Sequence, residues 1–370
     1  IGLASVDTVL ATSLQARQLV EALRAGDRAR TVRAAIMYYG SHLASRGGPV
    51  SAHERDVHSL IDRLVERGGS AEELAFSRGT YGCGLYMRGR YREAVEVIDA
   101  AYANLPSHQA GMQSQAAVYA LYSLASLGQL VELRRRTARL RADAEQRGDL
   151  FTQVMLSVSH PFVLKLADDD SEAARAAIRE AKAQWSHGKY LLQDWQIMRS
   201  EAEIELYVGN GAAAYDRMKL DEGPLDKSLL LGLQLLRIFT HYAAGRAAIA
   251  SIEGAGNLRG ERVAEAKARA VALRNEQIPW ADAYAGLISA SAKNAEGDRE
   301  GAILALREAI VLADAADMML YAAAARHQLG LLLGGTEGAL ELHQAEDTMR
   351  AQDIRVPSKF GSLYVPGRWA

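Results

Sequence analysis

Gly89-Arg90-Tyr91-Arg92-Glu93-Ala94 is the stretch that decides the fold, because the chain keeps returning to it. A small turn residue comes first, a short gap follows, and an alanine-rich helix opens. The phrase returns as Gly128-Gln129-Leu130 and as Asp168-Asp169-Asp170-Ser171-Glu172-Ala173-Ala174. It returns again as Gly209-Asn210-Gly211-Ala212-Ala213-Ala214 and as Gly297-Asp298-Arg299-Glu300-Gly301-Ala302. Most copies stand about 40 residues apart, and a fixed period of about 20–50 residues marks a stack of repeats. Such stacks present extended binding surfaces.

Composition supports this. The chain has 370 residues, 49% hydrophobic and 24% charged, which is ordinary for a soluble folded protein. Only seven prolines interrupt a sequence rich in Ala and Leu, so long helices are allowed nearly throughout. Val and Ile do not alternate in runs, and no sheet is predicted. The expected fold is all-α: a right-handed superhelix of helical hairpins, an α-solenoid continuous over 1–370. Degenerate N-terminal helices fill 1–74, repeats fill 75–348, and 349–370 caps the exposed apolar face of the last repeat.

A net charge of −2 supplies no field that would recruit nucleic acid or anionic lipid. Arg134, Arg135, Arg136, Arg139 and Arg141 make a local basic strip, read as a solvated helix face rather than a phosphate site. Cys83 is the single cysteine, so no intrachain disulfide exists and a reducing cytoplasm fits. The longest apolar stretch, around 229–238, is broken by Gln234 and Arg237 and is too short to span a bilayer. No basic n-region or cleavage site follows Ile1, so no signal peptide is expected; the Ile start suggests a fragment of a longer protein.

The best single unit runs from Ala75 to His108 and carries Gly82, Gly89, Tyr91, Ala94, Ile98, Ala101 and Pro106. This spacing resembles the tetratricopeptide repeat, in which small residues let two antiparallel helices approach and proline ends the second. Tyr91 opens the second helix and Ala94 packs on the first. The small or apolar position falls on Leu133, Ala174, Ala214, Ala302 and Ala339 in the other copies. Around Gly245 the second helix reads as weak, followed by a loose stretch from Gly254 to Gly260. Gly26-Asp27 splits the region Val6 to Arg46 into two helices. Ser51-Ala52-His53-Glu54 reads as a capping box, and Ser70 caps the next helix after Gly68-Gly69.

Three groups of residues carry a longer resemblance. One is Leu166-Ala167-Asp168-Asp169 with Ala173, Arg175, Trp185-Ser186, Gly188, Trp195, Glu205-Leu206-Tyr207 and Gly209. Another is Ala316-Asp317-Met318 with 320–326, Leu329-Gly330 and Gly334-Gly335. The third is the tail: Met349, Gln352, Ile354-Arg355, Pro357, Lys359-Phe360, Leu363 and Pro366-Gly367. Together they resemble the C-terminal tetratricopeptide-like region of large bacterial multidomain serine/threonine protein kinases, best from about Arg88 onward. At Asp353 that family often has Gly. The resemblance implies an upstream kinase and NTPase module in the same polypeptide, and a bacterial signalling role. It puts no kinase chemistry here, since the chain has no Gly-rich loop with Val-Ala-Ile-Lys, no His-Arg-Asp, no Asp-Phe-Gly and no Walker A sequence.

Candidate chemistry is sparse. His53 and His58 are five residues apart, about 140° around a helix, whereas a zinc-binding pair needs i and i+4 on one face. Asp168, Asp169 and Asp170 lack the alternating ligands and distal Glu of a calcium loop and read as a turn and helix cap. Cys83, beside Gly82 and Gly84, has His108 as its nearest downstream histidine and no orienting carboxylate, so a small packed residue is the reading. Gly79, Gly82 and Gly84 follow no strand and read as close helix packing. Neither a metal nor a cofactor is expected, and no enzymatic activity.

In tetratricopeptide stacks the first helix of each pair lines the groove. Transferring those positions gives a partner-binding set: Tyr86, Tyr122, Arg199, Glu203, Phe239, Tyr242, Tyr284, Asn294 and Gln328. Aromatics and Arg are the residue types of binding hot spots. The expected function is a non-catalytic sensor or scaffold that binds a protein or peptide. The alternative is a small-molecule inducer sensor attached to an NTPase regulator, which predicts an enclosed pocket.

Overall fold

In a computed structural model the described residues are 8–103, 110–159, 162–185 and 190–369, without the side chains of 8, 9, 11, 12 and 110–115. Pro106, His108, Ser186 and Gly188 lie outside them. Among the described residues every regular element is helical, and no helix is long and apolar enough to cross a membrane. The chain divides into two compact units: 1–123 with 232–235, and 124–231 with 236–370.

The first unit contains α1 (Thr8–Ala25), α2 (Arg28–Tyr38), α3 (Ala52–Glu66), α4 (Ala71–Met87), α5 (Tyr91–Tyr102) and the first part of α6 (Ala110–Leu127). Gly26-Asp27 does separate α1 from α2, and the Asp27 carboxylate accepts the Arg30 N–H. Val32, Ile36, Tyr39, Val57 and Ile61 form its core. Ser70 and Glu73 close a full capping box on α4. The box expected at Ser51 is only half made. Ser51 accepts the Glu54 N–H, but the Glu54 carboxylate is buried and turned to Arg88, which it meets at 2.6 and 2.7 Å. A charge-assisted fork outweighs a backbone N–H that water can serve.

Between α4 and α5 the glycines are contact points. A Cβ on Gly82 would stand 2.6 Å from Ile98, and one on Gly79 would meet the Tyr102 ring. Ala94 faces them with no exposed surface. Ala94→Leu is expected to overpack this crossing and cost about 1–3 kcal/mol, read as a lower urea midpoint at unchanged slope.

The second unit holds α7 (Leu130–Gln146), α8 (Leu150–Val158), α9 (Val163–Ala167), α10 (Ser171–Gln184), α11 (Leu192–Tyr207), α12 (Gly211–Leu220) and α13 (Glu222–Lys227). It continues with α14 (Gln234–Ala250, within the unit from 236), α15 (Arg259–Arg274), α16 (Pro279–Ala295), α17 (Arg299–Ala315), α18 (Met319–Leu333), α19 (Gly335–Arg350) and α20 (Pro357–Tyr364). Successive helices pack on each other across short links. Gly209 and Gly297 sit at φ 80° and 84°, the left-handed geometry that ends one helix and reverses the chain. Asp170, Asn210 and Asp298 then cap the next helix by accepting the N–H three residues on. Ala174, Ala214 and Ala302 are fully buried at the crossings that follow.

Two local readings shift. Gly245 is no turn: it lies inside α14, where a Cβ would stand 2.5 Å from Ile288, and the second helix of that pair is α15, after two short 3-10 turns. In α19 the buried small residue is Gly338, while Ala339 is exposed. The Gly-Gly start of that helix moves its face by one position.

Candidate functional site

The tail crosses the first helices of successive pairs instead of stopping over the last. After α19 the chain turns at Asp353 (φ 59°). Arg355 N–H reaches the Ala167 carbonyl at 2.9 Å. From there α20 packs on α11, α18 and α19. Phe360, Leu363 and Val365 lose all exposure. Phe360 meets the Tyr207 ring edge-on at 5.8 Å, and Tyr364 lies 4.4 Å from the Tyr321 ring.

Side chains from three first helices hold the tail by its main chain. Arg246 and Tyr242 on α14 donate to the carbonyls of Leu363 (3.1 Å) and Tyr364 (2.7 Å). Gln328 on α18 donates to that of Val365 at 3.1 Å. Asn294 on α16 donates to that of Arg368. Burial pushes the Tyr242 hydroxyl well above its ordinary pKa, so it keeps the proton it donates.

Behind these donors lies a buried ionic centre. Glu203 accepts from Arg246 at 3.0 Å and from Arg199 at 3.3 Å through the same oxygen. Two guanidiniums share one carboxylate, and all three residues are under 9% exposed. Burial works against the Arg246 charge, but the Glu203 carboxylate it bonds more than offsets this and holds its pKa above the arginine norm. The Arg246 guanidinium lies 4.3 Å from the Tyr242 ring, which stacks on Tyr284 at 3.9 Å. Arg199 sits over Trp195 and Phe239 at 5.4 and 5.3 Å.

The nine residues expected along a groove fall into two groups. Tyr86 and Tyr122 belong to the first unit, where their rings stand 5.8 Å apart beside Tyr119. Arg199, Glu203, Phe239, Tyr242, Tyr284, Asn294 and Gln328 belong to the second. Eight of the nine are buried, and Asn294 alone keeps partial exposure. Arg246, Tyr321 and the tail residues were not in the expected set. Arg246 follows Tyr242 by four residues, a helical spacing that marks it in retrospect; no sequence period links α14 to Leu363.

The other sequence candidates are placed as follows. Asp168 pairs with Arg134, Asp169 takes Tyr207 and Lys359, and Asp170 caps α10. The Lys359 and Tyr207 bonds hold the Asp169 carboxyl below its usual range. Arg135 and Arg136 both pair with Glu132. Burial pushes the Cys83 thiol up to about 12. Among the described residues no three His, Cys, Asp or Glu side chains gather as a metal set. No model of a known protein family and no curated protein matches the chain.

His327 is buried and His241 half-buried, and burial depresses both pKa values; Arg269 adds to the effect at His241. An unfolded histidine titrates near 6.5. The neutral form therefore contributes stability that is full above about pH 6.5 and is lost as pH falls through the folded values. Urea midpoints are expected to drop between pH 7.5 and 5.0, and less steeply in the His241→Gln, His327→Gln double variant. Equal slopes in both proteins would contradict this.

Proposed function

We propose that the chain is a non-catalytic protein- or peptide-binding sensor or scaffold module, built as a tetratricopeptide-like, right-handed α-solenoid. One observation carries the reading: side chains from α14, α16 and α18 grip the last turn of α20 and the chain after it by their carbonyls, which is peptide-binding chemistry. The repeat phrases, with Gly209 and Gly297 at the reversals, support the solenoid. The resemblance in 166–209, 316–335 and the tail supports a place behind a kinase or NTPase module of a cytoplasmic bacterial signalling protein. Binding would then shift the module between states of differing affinity.

The test is selection of displayed peptides on the full chain, repeated on Asn294→Ala and Gln328→Ala. A sequence class enriched on the native chain and at least tenfold weaker on the variants is expected. No enriched class on a folded chain would sink the reading.

A cleft of about 490 Å³ favours a second reading, a small-molecule inducer sensor. Ile249, Ile252, Arg259, Asn294, Ser362 and Arg368 line it, so a ligand there would touch the tail. Saturable thermal stabilisation by a metabolite, without peptide enrichment, would select this reading.

A further inference from the structure

We propose that the segment Ile354 to Trp369 is a displaceable intramolecular ligand. A peptide carrying its Phe-Gly-x-Leu-Tyr pattern takes its place in trans. This rests on the peptide-binding reading above.

The contacts are of a transferable kind. Arg246, Tyr242, Gln328 and Asn294 donate to main-chain carbonyls at 363, 364, 365 and 368. Any peptide that ends a short helix leaves such carbonyls without a helical partner, so these bonds set affinity and direction without demanding this particular segment. Selectivity comes from the side chains between them. Phe360 and Leu363 enter fully buried sites. At Gly361 a Cβ would stand 2.9 Å from His327 Nδ1 and 3.2 Å from Gln328 Nε2. Only glycine fits there without moving a buried ring, so the pattern has a strict small position.

The segment is also built to leave. Near its start it is tied by Lys359 to Asp169, and near its end by Arg368 to Glu253. The Lys359 and Arg368 side chains are 43% and 81% exposed, so both ties are weak and screened by salt. Asp353, in the left-handed region, marks the turn that separates the segment from α19. Release removes the Leu363 carbonyl from Arg246, whose Nε has no acceptor among the described residues even with the tail in place. The vacated site therefore holds buried donors in need of acceptors, which a second peptide supplies.

The experiment uses the full chain with a protease site inserted after Asp353. After cleavage, a fluorescent synthetic peptide of residues 354–369 is added and its polarisation followed. The cut chain is expected to exchange its tail for the labelled peptide. The uncut chain should take it up at least tenfold more weakly, and a Gly361→Val peptide should bind the cut chain at least tenfold more weakly. Native tail retained on a folded cut chain, or equal uptake of the Gly361→Val peptide, would overturn the proposal.

Hydrogen exchange on the uncut chain is independent of whether cleavage harms the fold. Amides of 358–365 should open while α16 and α18 stay protected, and open more often in Lys359→Glu. Exchange of the tail only together with α18 would overturn the proposal. Peptide selection that succeeds on a chain whose tail never opens overturns this inference alone and leaves the peptide-binding reading standing.

Discussion

Glu203→Gln is expected to lower the stability of the second unit by about 3–5 kcal/mol, because it leaves two buried guanidiniums with no countercharge. Arg199 and Arg246 both donate to one Glu203 oxygen, and neither can turn to water. The near-isosteric amide keeps the volume and removes only the charge. Arg199→Met is the informative comparison: it leaves Arg246 and Glu203 as a balanced pair and should cost clearly less. Urea unfolding followed by tryptophan fluorescence reads both, since Trp195 lies 5.4 Å from Arg199 and bonds Thr240. A Glu203→Gln midpoint within about 1 kcal/mol of the native chain would mean that the pair of arginines is compensated by something other than Glu203.

Gly338→Val should be the most damaging substitution at a helix crossing, at about 3 kcal/mol or more. Here α18 and α19 touch backbone to backbone. A Cβ on Gly330 would stand 2.7 Å from the Gly338 carbonyl oxygen, and one on Gly338 would meet the Gly330 carbonyl. A flexible side chain can swing aside, but a helix carbonyl cannot without breaking its own ladder. The neighbouring Ala339→Val, on the exposed side, should stay within about 0.5–1 kcal/mol, the cost of helix propensity alone. Equal effects at 338 and 339 would show that the face of α19 is wrongly assigned.

How far the fold was legible depends on the range of the interaction. Turn and cap residues act within three or four positions of themselves. Gly89, Gly209 and Gly297 therefore announced the reversals, and Asp170, Asn210 and Asp298 announced the helix starts. The half-made cap at Ser51 shows where that stops. Its local geometry was right, but Arg88, 34 residues on, took the Glu54 carboxylate. The reading around Gly245 failed differently, because a glycine that ends a helix and one that lets two helices touch look the same in one dimension.

The candidate site was legible by residue type and not by arrangement. The tetratricopeptide resemblance placed Tyr242, Tyr284 and Gln328 on the first helices of their pairs. The carbonyls that Tyr242 and Gln328 hold come from a tail more than 35 residues further on in the case of Gln328 and 120 in that of Tyr242. By itself the sequence determined that this protein is a succession of helices, where most of them begin and end, and which small residues sit at most of their crossings, since caps, turns and periodicity are short-range. Only the tertiary structure decided that two arginines share Glu203 and that the last described residues lie across the first helices of earlier pairs. Those outcomes depend on which desolvated donors find acceptors, and that is settled among groups far apart in the chain.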